Sequence, residues 1–148
     1  MLFSKYDAYF KRNKLVSLFI GMPKLTTAKV SILIVDDESQ LAINLADFLS
    51  DLGMTTDVAY NGAQALEKLN LKPFDIVITD FTMPEMDGLE LIKRIKANSA
   101  FDSIKIILMT GNYDSKLSEA LSMCNGHMFK PFDLEHLTAV IESFSIQP

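Results

Sequence analysis

Acidic side chains stand where apolar segments of this chain end, and these acids are the first residues that could do chemistry. The segment "ILIVDDESQ" (32–40) runs directly into three acids, and "FDIVITD" (74–80) also ends on one. Adjacent carboxylates repel one another, and burial adds to the cost of keeping them charged. We therefore expect a cation or a basic side chain beside them.

Two further apolar segments end on polar residues of another kind. Thr110 ends "IKIILMT", and Lys130 ends "GHMFK". A divalent cation such as Mg²⁺ would offset the repulsion among Asp36, Asp37 and Asp80, but it does not explain a nearby lysine. A phosphoryl group would explain it, because ammonium, hydroxyl and metal ions all bind anionic oxygens. A carboxylate can itself attack phosphorus, which makes Asp80 the candidate nucleophile.

The segments that must position these residues alternate between strand and helix patterns from residue 30 onward. Continuous aliphatic runs predict strands buried on both faces. Between them, apolar residues recur at helical spacing, as in Leu41, Leu45 and Leu49, and Gly53 ends that helix. The predicted strands are residues 30–35, 55–60, 74–80, 104–110 and 126–130.

Five successive βα units predict an α/β fold, namely a five-stranded parallel sheet with helices on both faces. The strand order 2-1-3-4-5 follows, because it puts the polar second strand and the short fifth strand at the edges. Ligands bind at the carboxyl ends of the strands in such a sheet. We therefore expect the acids, the threonine and the lysine to converge on one crevice.

Composition sets further bounds on the class of protein. A chain of 148 residues with 49% hydrophobic residues is long and apolar enough for one globular domain. No apolar run is long enough to span a bilayer. The single cysteine, Cys124, cannot form an internal disulfide, which suits a reducing cytoplasm. Residues 1–29 carry a net charge of +5, so the remainder carries −10 and is a poor direct binder of nucleic acid.

Four short motifs fall at the predicted site in a fixed order: "VDDE" (35–38), "TDFTMPEMDG" (79–88), "MTG" (109–111) and "FKPF" (129–132). With these motifs, the chain resembles the receiver domains of bacterial two-component response regulators, and in particular the single-domain chemotaxis regulators. The resemblance implies the flavodoxin-like strand order given above. We predict a receiver domain over residues 30–148, preceded by an N-terminal extension, residues 1–29.

The resemblance implies a role for each residue of the acidic cluster. Asp80 would be the phosphoacceptor. Asp36 and Asp37 would bind Mg²⁺ together with Asp80, and the backbone carbonyl of Thr82 would complete the metal site.

The resemblance also implies roles for residues around the cluster. Lys130 and Thr110 would hold the phosphoryl oxygens, and the Lys130–Pro131 peptide would be cis. Thr110 and His127 would form the switch that reports phosphorylation, although this family usually has an aromatic residue at the position of His127. Thr82 and Asn112 occupy the positions that tune phosphoryl lifetime in the family.

The function implied is a protein-interaction module switched by Mg²⁺-dependent phosphorylation. Its partners would be a sensor histidine kinase or a histidine phosphotransfer protein, and a downstream effector protein. The chain would catalyse only its own phosphorylation and slow dephosphorylation, and would otherwise not be an enzyme. It would act in the cytoplasm without binding nucleic acid directly.

Several alternatives remain open at this stage. The chain could be the receiver fragment of a longer regulator with a DNA-binding or enzymatic output domain. It could be an aspartate-nucleophile phosphohydrolase, although such enzymes usually carry an acid where Thr82 stands, or a receiver-like binding module without phosphorylation. Residue by residue, Asp37 or Glu38 could simply cap a helix, and His127 could be an ordinary residue of an edge strand.

The extension, residues 1–29, has no counterpart in the family. Its segment "KRNKLVSLFIGM" loosely resembles a signal peptide, but no small-x-small cleavage site follows. The extension could be flexible, or it could form an amphipathic docking helix.

Overall fold

The computed structural model describes residues 29–144, which form a five-stranded parallel sheet covered by helices on both faces. Each strand lies within the apolar segment predicted for it and is slightly shorter. The strands are β1 (Ser31–Val35), β2 (Thr55–Ala59), β3 (Ile76–Asp80), β4 (Lys105–Thr110) and β5 (Gly126–Phe129).

The strand order is β2-β1-β3-β4-β5, which confirms the predicted order 2-1-3-4-5. The three central strands are almost entirely buried, whereas the edge strands β2 and β5 are partly exposed. Helices cover both faces of a parallel sheet, so its central strands need apolar side chains on both faces. That requirement is why continuous aliphatic runs identified β1, β3 and β4.

The edge strand β2 carries an acid, Asp57, which is held by two lysines. Its carboxylate lies 2.6 Å from Lys68 Nζ and 2.9 Å from Lys72 Nζ. Partial burial would raise the pKa of Asp57, but hydrogen bonds from the two lysines outweigh it and lower that pKa to about 2. The polar residues of β2 predicted its position at the sheet edge. There the charge of Asp57 is paired with Lys68 of the following helix and with Lys72 at the end of that helix.

Within residues 29–144, five α-helices connect and flank the strands, together with one 3₁₀ turn at Ser99–Phe101. Apolar residues of the first and fifth helices pack against one face of the sheet, and those of the other three pack against the opposite face. The helices are α1 (Ser39–Asp51), α2 (Gly62–Leu71), α3 (Gly88–Lys96), α4 (Leu117–Met123) and α5 (Leu134–Ser143).

Two hydrophobic cores lie on the two faces of the sheet, because alternate residues of each central strand point to opposite sides. In β1, Leu33 packs with α2, α3 and α4, whereas Ile34 packs with α1 and α5. Both side chains are completely buried. Full burial of one such side chain contributes roughly 1.5–3 kcal/mol. The two cores hold the strand ends at fixed positions.

Local side-chain hydrogen bonds determine where two of the helices begin. Gly62 begins α2, and the side chain of Asn61 caps this helix by accepting a hydrogen bond from the Gln64 N–H. Helix α4 begins at Leu117, three residues after Asp114. Asp114 instead accepts the backbone N–H of Lys116 in a local turn, which competes with helix formation.

The predictions for the extension lie outside the described residues, except at Lys29. Within residues 29–144, no helix combines the length and apolar character that crossing a membrane requires.

Candidate functional site

Four strand ends bring the predicted site residues to one edge of the sheet. Asp36 directly follows β1, Asp80 ends β3, Thr110 ends β4 and Lys130 directly follows β5. Parallel strands place all their carboxyl ends on the same side, so residues far apart in the chain become neighbours. The predicted convergence is therefore what the structure shows for these four residues, and exposed Asp37 adjoins them.

Lys130 joins the two buried acids of this edge. Its Nζ lies 3.2 Å from Asp36 Oδ2 and 3.3 Å from Asp80 Oδ1. Asp36 is 1% exposed and Asp80 is 7% exposed, so both carboxylates have lost most of their contact with water. A buried carboxylate needs a paired charge or hydrogen bonds, and one ammonium here serves two of them. The cluster therefore retains an excess of negative charge.

The pKa values of Asp36, Asp80 and Lys130 are all raised in this cluster. Burial raises the pKa of Asp80 to about 6, with the charges of Asp36 and Asp37 adding to the rise and Lys130 opposing it. Burial also raises the pKa of Asp36, against the opposing charge of Lys130. Burial lowers the pKa of Lys130, but its two acidic partners outweigh that effect and hold it above the ordinary value. Lys130 therefore carries its positive charge at neutral pH, and Asp80 is ionised mainly above pH 6.

The acids have the composition and spacing of a hard-cation site. Carboxylate oxygens of Asp36, Asp37 and Asp80 all lie within 4.8 Å of one another. Ligand oxygens lie 2.0–2.1 Å from Mg²⁺, so opposite ligands are separated by about 4 Å. Small side-chain adjustments would bring all three oxygens around one ion. The donor set fits Mg²⁺, which would also offset the excess negative charge.

The alternative in which the Glu38 side chain caps the first helix is not what the structure shows. Glu38 occupies the N-cap position of α1, but its side chain makes no capping hydrogen bond. Instead its backbone N–H donates to Asp36 Oδ1 at 2.9 Å. This hydrogen bond orients the Asp36 carboxylate and leaves its Oδ2 facing Lys130.

The loop between β3 and α3 fixes the backbone beside Asp80. Thr82 lies in this loop with an exposed side chain. Gly88 begins α3 and donates its N–H to the carbonyl of Phe81 at 2.8 Å. A Cβ at Gly88 would lie only 2.5 Å from the backbone oxygen of Asp80. This close approach requires glycine, so the last residue of "TMPEMDG" is needed to position the backbone beside Asp80, a role that no sequence pattern predicted.

Thr110 is completely buried, and its hydroxyl interacts with the backbone of its own loop. The hydroxyl donates to the carbonyl of Asn112 at 2.9 Å and accepts from the Asn112 N–H at 3.2 Å. The Thr110 carbonyl accepts the backbone N–H of Lys130 at 2.7 Å. Thr110 therefore contacts the lysine through its backbone, while its side chain is engaged with Asn112.

His127 is exposed on β5 and belongs to a row of three rings. Its ring meets that of Phe129 edge-on, with centroids 5.3 Å apart. Tyr113 also stacks on Phe129, with ring centroids 5.6 Å apart and an interplanar angle of 23°. Phe129 is therefore the central ring of the row. No sequence pattern predicted the contact between Tyr113 and Phe129, although the "FKPF" motif contains Phe129. The structure also contains the cis Lys130–Pro131 peptide that the resemblance implied.

This fold and this edge define the class of protein, and comparison with known sequences gives the family. Residues 32–142 match the family described as the response regulator receiver domain. The match covers well over half of the chain. The chain belongs to the response regulator receiver domain family.

Individual relatives support this assignment. The chain is 34% identical over 116 residues to a chemotaxis protein CheY of Pseudomonas aeruginosa, covering 76% of this chain and 94% of the relative. It is 36% identical over 115 residues to the transcriptional regulatory protein CrdR of Helicobacter pylori, covering 76% of this chain and 54% of CrdR. The chain spans about half the length of the first curated relatives it matches.

Solved structures agree in fold. The chemotaxis protein CheY4 of Vibrio cholerae has a TM-score of 0.72 at 27% identity, covering 78% of this chain and 98% of that structure. A response regulator receiver protein of Pseudomonas putida has a TM-score of 0.73 at 25% identity, covering 80% and 99%. Receiver domains are signalling proteins of two-component systems rather than metabolic enzymes.

Proposed function

We propose that this receiver domain accepts a phosphoryl group on Asp80 and that the modification switches its interaction with another protein. One observation carries the proposal: the buried carboxylate of Asp80 lies beside that of Asp36, and the ammonium of Lys130 lies within 3.3 Å of both. A nucleophile, a fixed cation and a cluster of anionic oxygens thus share one edge of the sheet. The arrangement suits an incoming phosphoryl group, which needs positioning and charge neutralisation.

The donor would be the phosphohistidine of a sensor histidine kinase or of a histidine phosphotransfer protein. An Asp80 carboxylate oxygen forms the new bond to phosphorus while the bond from phosphorus to the imidazole nitrogen breaks. The imidazole ring takes up a proton from water and therefore leaves as neutral imidazole. Lys130 and Thr110 then hold oxygens of the transferred group through an ammonium and a hydroxyl donor. The chain's own catalysis would be limited to this transfer and to slow hydrolysis of the product.

The cofactor in this proposal is Mg²⁺, held by Asp36, Asp37 and Asp80 with the backbone carbonyl of Thr82. The family uses Mg²⁺ in an acidic pocket, and the three carboxylates here have suitable spacing. When bound, the ion supplies positive charge that offsets the charge of the phosphoryl oxygens. The three carboxylates would hold the ion, and therefore its positive charge, next to the Asp80 oxygen that accepts the phosphoryl group.

The signal would leave the site through Thr110 and His127 toward an effector protein. The added charge of about −1.5 to −2 attracts the Thr110 hydroxyl. Movement of Thr110 would make space into which His127 can turn, and the surface around β5 would change shape. We place this exchange in the cytoplasm, without direct contact to nucleic acid by the acidic domain.

The test is labelling of the purified chain with acetyl phosphate and Mg²⁺, followed by intact mass measurement and hydroxylamine treatment. Wild type should gain one hydroxylamine-labile phosphoryl group, and Asp80→Asn should gain none. Asp47→Asn is the matched control, because Asp47 is an exposed acid on α1, outside the acidic cluster. Equal labelling of wild type and Asp80→Asn would refute the assignment of the acceptor.

A longer regulator is the second candidate. The chain covers only about half of CrdR and similar relatives, which are transcriptional regulators. In that case the effector would be an output domain on the same polypeptide. Sequencing the complete gene and its transcript decides between the two, since an output domain in the same reading frame would establish the longer regulator.

A further inference from the structure

The hydroxyl of Thr110 has a single hydrogen to donate, and in this structure the hydrogen points to a backbone carbonyl. The acceptor is the oxygen of Asn112 at 2.9 Å. A hydroxyl that donates to Asn112 cannot at the same time donate to an oxygen of a group on Asp80. The return hydrogen bond from the Asn112 N–H, at 3.2 Å, closes a small ring of interactions around Thr110. The Thr110 hydroxyl must therefore give up its hydrogen bond to the Asn112 carbonyl before it can donate at the acceptor.

The residue after Asn112 anchors this loop to the sheet. Tyr113 is 87% exposed, so most of its ring is in water, yet it stacks on Phe129 with an interplanar angle of 23°. Phe129 is paired with Thr110 in the ladder between β4 and β5. The stack thus joins the loop that follows Thr110 to the strand directly opposite Thr110. Displacement of Asn112 would pull the two rings apart.

We infer that Tyr113 and Phe129 are positioning residues whose ring stack keeps the Thr110 hydroxyl on Asn112 and so restrains phosphoryl acceptance. The inference rests on the proposed function for the role of Thr110 at Asp80. The same Phe129 ring contacts His127 edge-on, so it also holds the predicted switch residue on the outside of β5. Opening of the Tyr113–Phe129 stack would free Thr110 and would leave the separate contact between Phe129 and His127 in place.

The effect of opening the stack has a definite sign and size. A stacked ring pair on the protein surface stabilises one arrangement over another by an amount equivalent to about a two- to tenfold change in population. Without the ring of Tyr113, a larger fraction of molecules has the hydroxyl of Thr110 free to meet the incoming phosphoryl group. Acceptance should become faster, whereas simple damage to the fold would make it slower.

The experiment compares wild type, Tyr113→Ala and Tyr113→Phe by two measurements. The first is the initial rate of phosphorylation by acetyl phosphate with Mg²⁺. The second is hydrogen exchange of the Asn112 amide, measured by NMR without any phosphoryl donor. Tyr113→Ala should label about two to ten times faster and its Asn112 amide should exchange faster by a similar factor. Tyr113→Phe keeps the stacked ring and should match wild type in both measurements.

The two measurements separate this inference from the proposed function. Failure of the wild-type chain to label on Asp80 would refute the proposed function, while accelerated Asn112 exchange in Tyr113→Ala alone would still support the ring restraint. If wild type labels normally, and if Tyr113→Ala has the same labelling rate and the same Asn112 exchange rate as wild type, the inferred restraint by the ring stack is wrong. A slower rate in Tyr113→Ala, or a faster rate in Tyr113→Phe, would also overturn it. Phe129→Ala should show the same acceleration as Tyr113→Ala, from the opposite strand.

Discussion

Asp80 is required at the proposed site, but its buried negative charge lowers the stability of the fold. Burial beside Asp36 and Asp37 raises the pKa of Asp80 from 3.8 to about 6. Between these two pH values the folded chain binds more protons than the unfolded chain, so stability falls as pH rises through this window. Above pH 6 the full cost of the ionised carboxylate is present. Mg²⁺ or another cation would relieve it.

Substitution of Asp80 by Asn should therefore stabilise the metal-free protein at neutral pH. A shift of about two pKa units corresponds to at most about 3 kcal/mol, and residual solvent screening reduces it, so we expect about 1–3 kcal/mol at pH 7. The difference should shrink as pH falls from 6 toward 3.8. Urea unfolding of both proteins between pH 4 and 7.5 in EDTA measures it.

The control for this prediction is Asp47→Asn, which removes an exposed acid outside the cluster and should leave stability within about 0.5 kcal/mol of wild type. A metal-free Asp80→Asn protein that is less stable than wild type at pH 7 would contradict the crowding argument. A stability difference of the same size at pH 4 and pH 7 would contradict it equally.

At the scale of elements, strand ends could be predicted from the sequence, but the loops between strands and helices could not. The polar residue that stops each aliphatic run identified Asp36, Asp80, Thr110 and Lys130, because parallel strands bring such stops together. The contact between Thr110 and Asn112 depends on the path of a loop for which the sequence carries no periodic signal. The ring stack was missed for the same reason, since it joins residues of a loop and an edge strand.

The start of α3 provides a prediction at this scale. In Gly88→Ala the new Cβ would lie closer than 3.0 Å to two backbone atoms, the oxygen of Asp80 at 2.5 Å and the Cα of Phe81 at 2.8 Å. Backbone cannot turn away as a flexible side chain can, so we expect a loss of about 1–3 kcal/mol. The displaced backbone should also slow labelling of Asp80 by acetyl phosphate.

Gly53→Ala is the comparison for Gly88→Ala, because Gly53 needs glycine for another reason. Gly53 has a φ of 98° and no atom within 4 Å of an added Cβ. Alanine there should cost about 1–2 kcal/mol of stability through backbone strain alone and should leave the labelling rate unchanged. If Gly88→Ala labels as fast as Gly53→Ala, the close approach to Asp80 is not needed for phosphoryl acceptance.

For the whole molecule, the sequence predicted the layered architecture because hydrophobic periodicity is a property of long segments. The sheet order followed from the polarity of β2 and the shortness of β5, and Asp57 shows the physical reason: it is satisfied by Lys68 and Lys72 at the sheet edge. The extension gave no such signal. Its separation from the receiver domain at residue 29 or 30 remains a prediction.

Deletion of residues 1–28 tests that boundary. The two cores are built from residues between Val30 and Ile141, and the family match begins at residue 32, so the shortened chain should fold and label normally. Its melting temperature should differ from that of the full chain by no more than roughly 2–8 °C, the shift that a change of about 1 kcal/mol produces in domains of this size range. Circular dichroism melts at low and high salt measure it, because salt would screen any attraction between residues 1–28, with a net charge of +4, and the remaining residues, with −9. A larger loss that persists at high salt, or a chain that does not fold, would show that the extension packs against the domain.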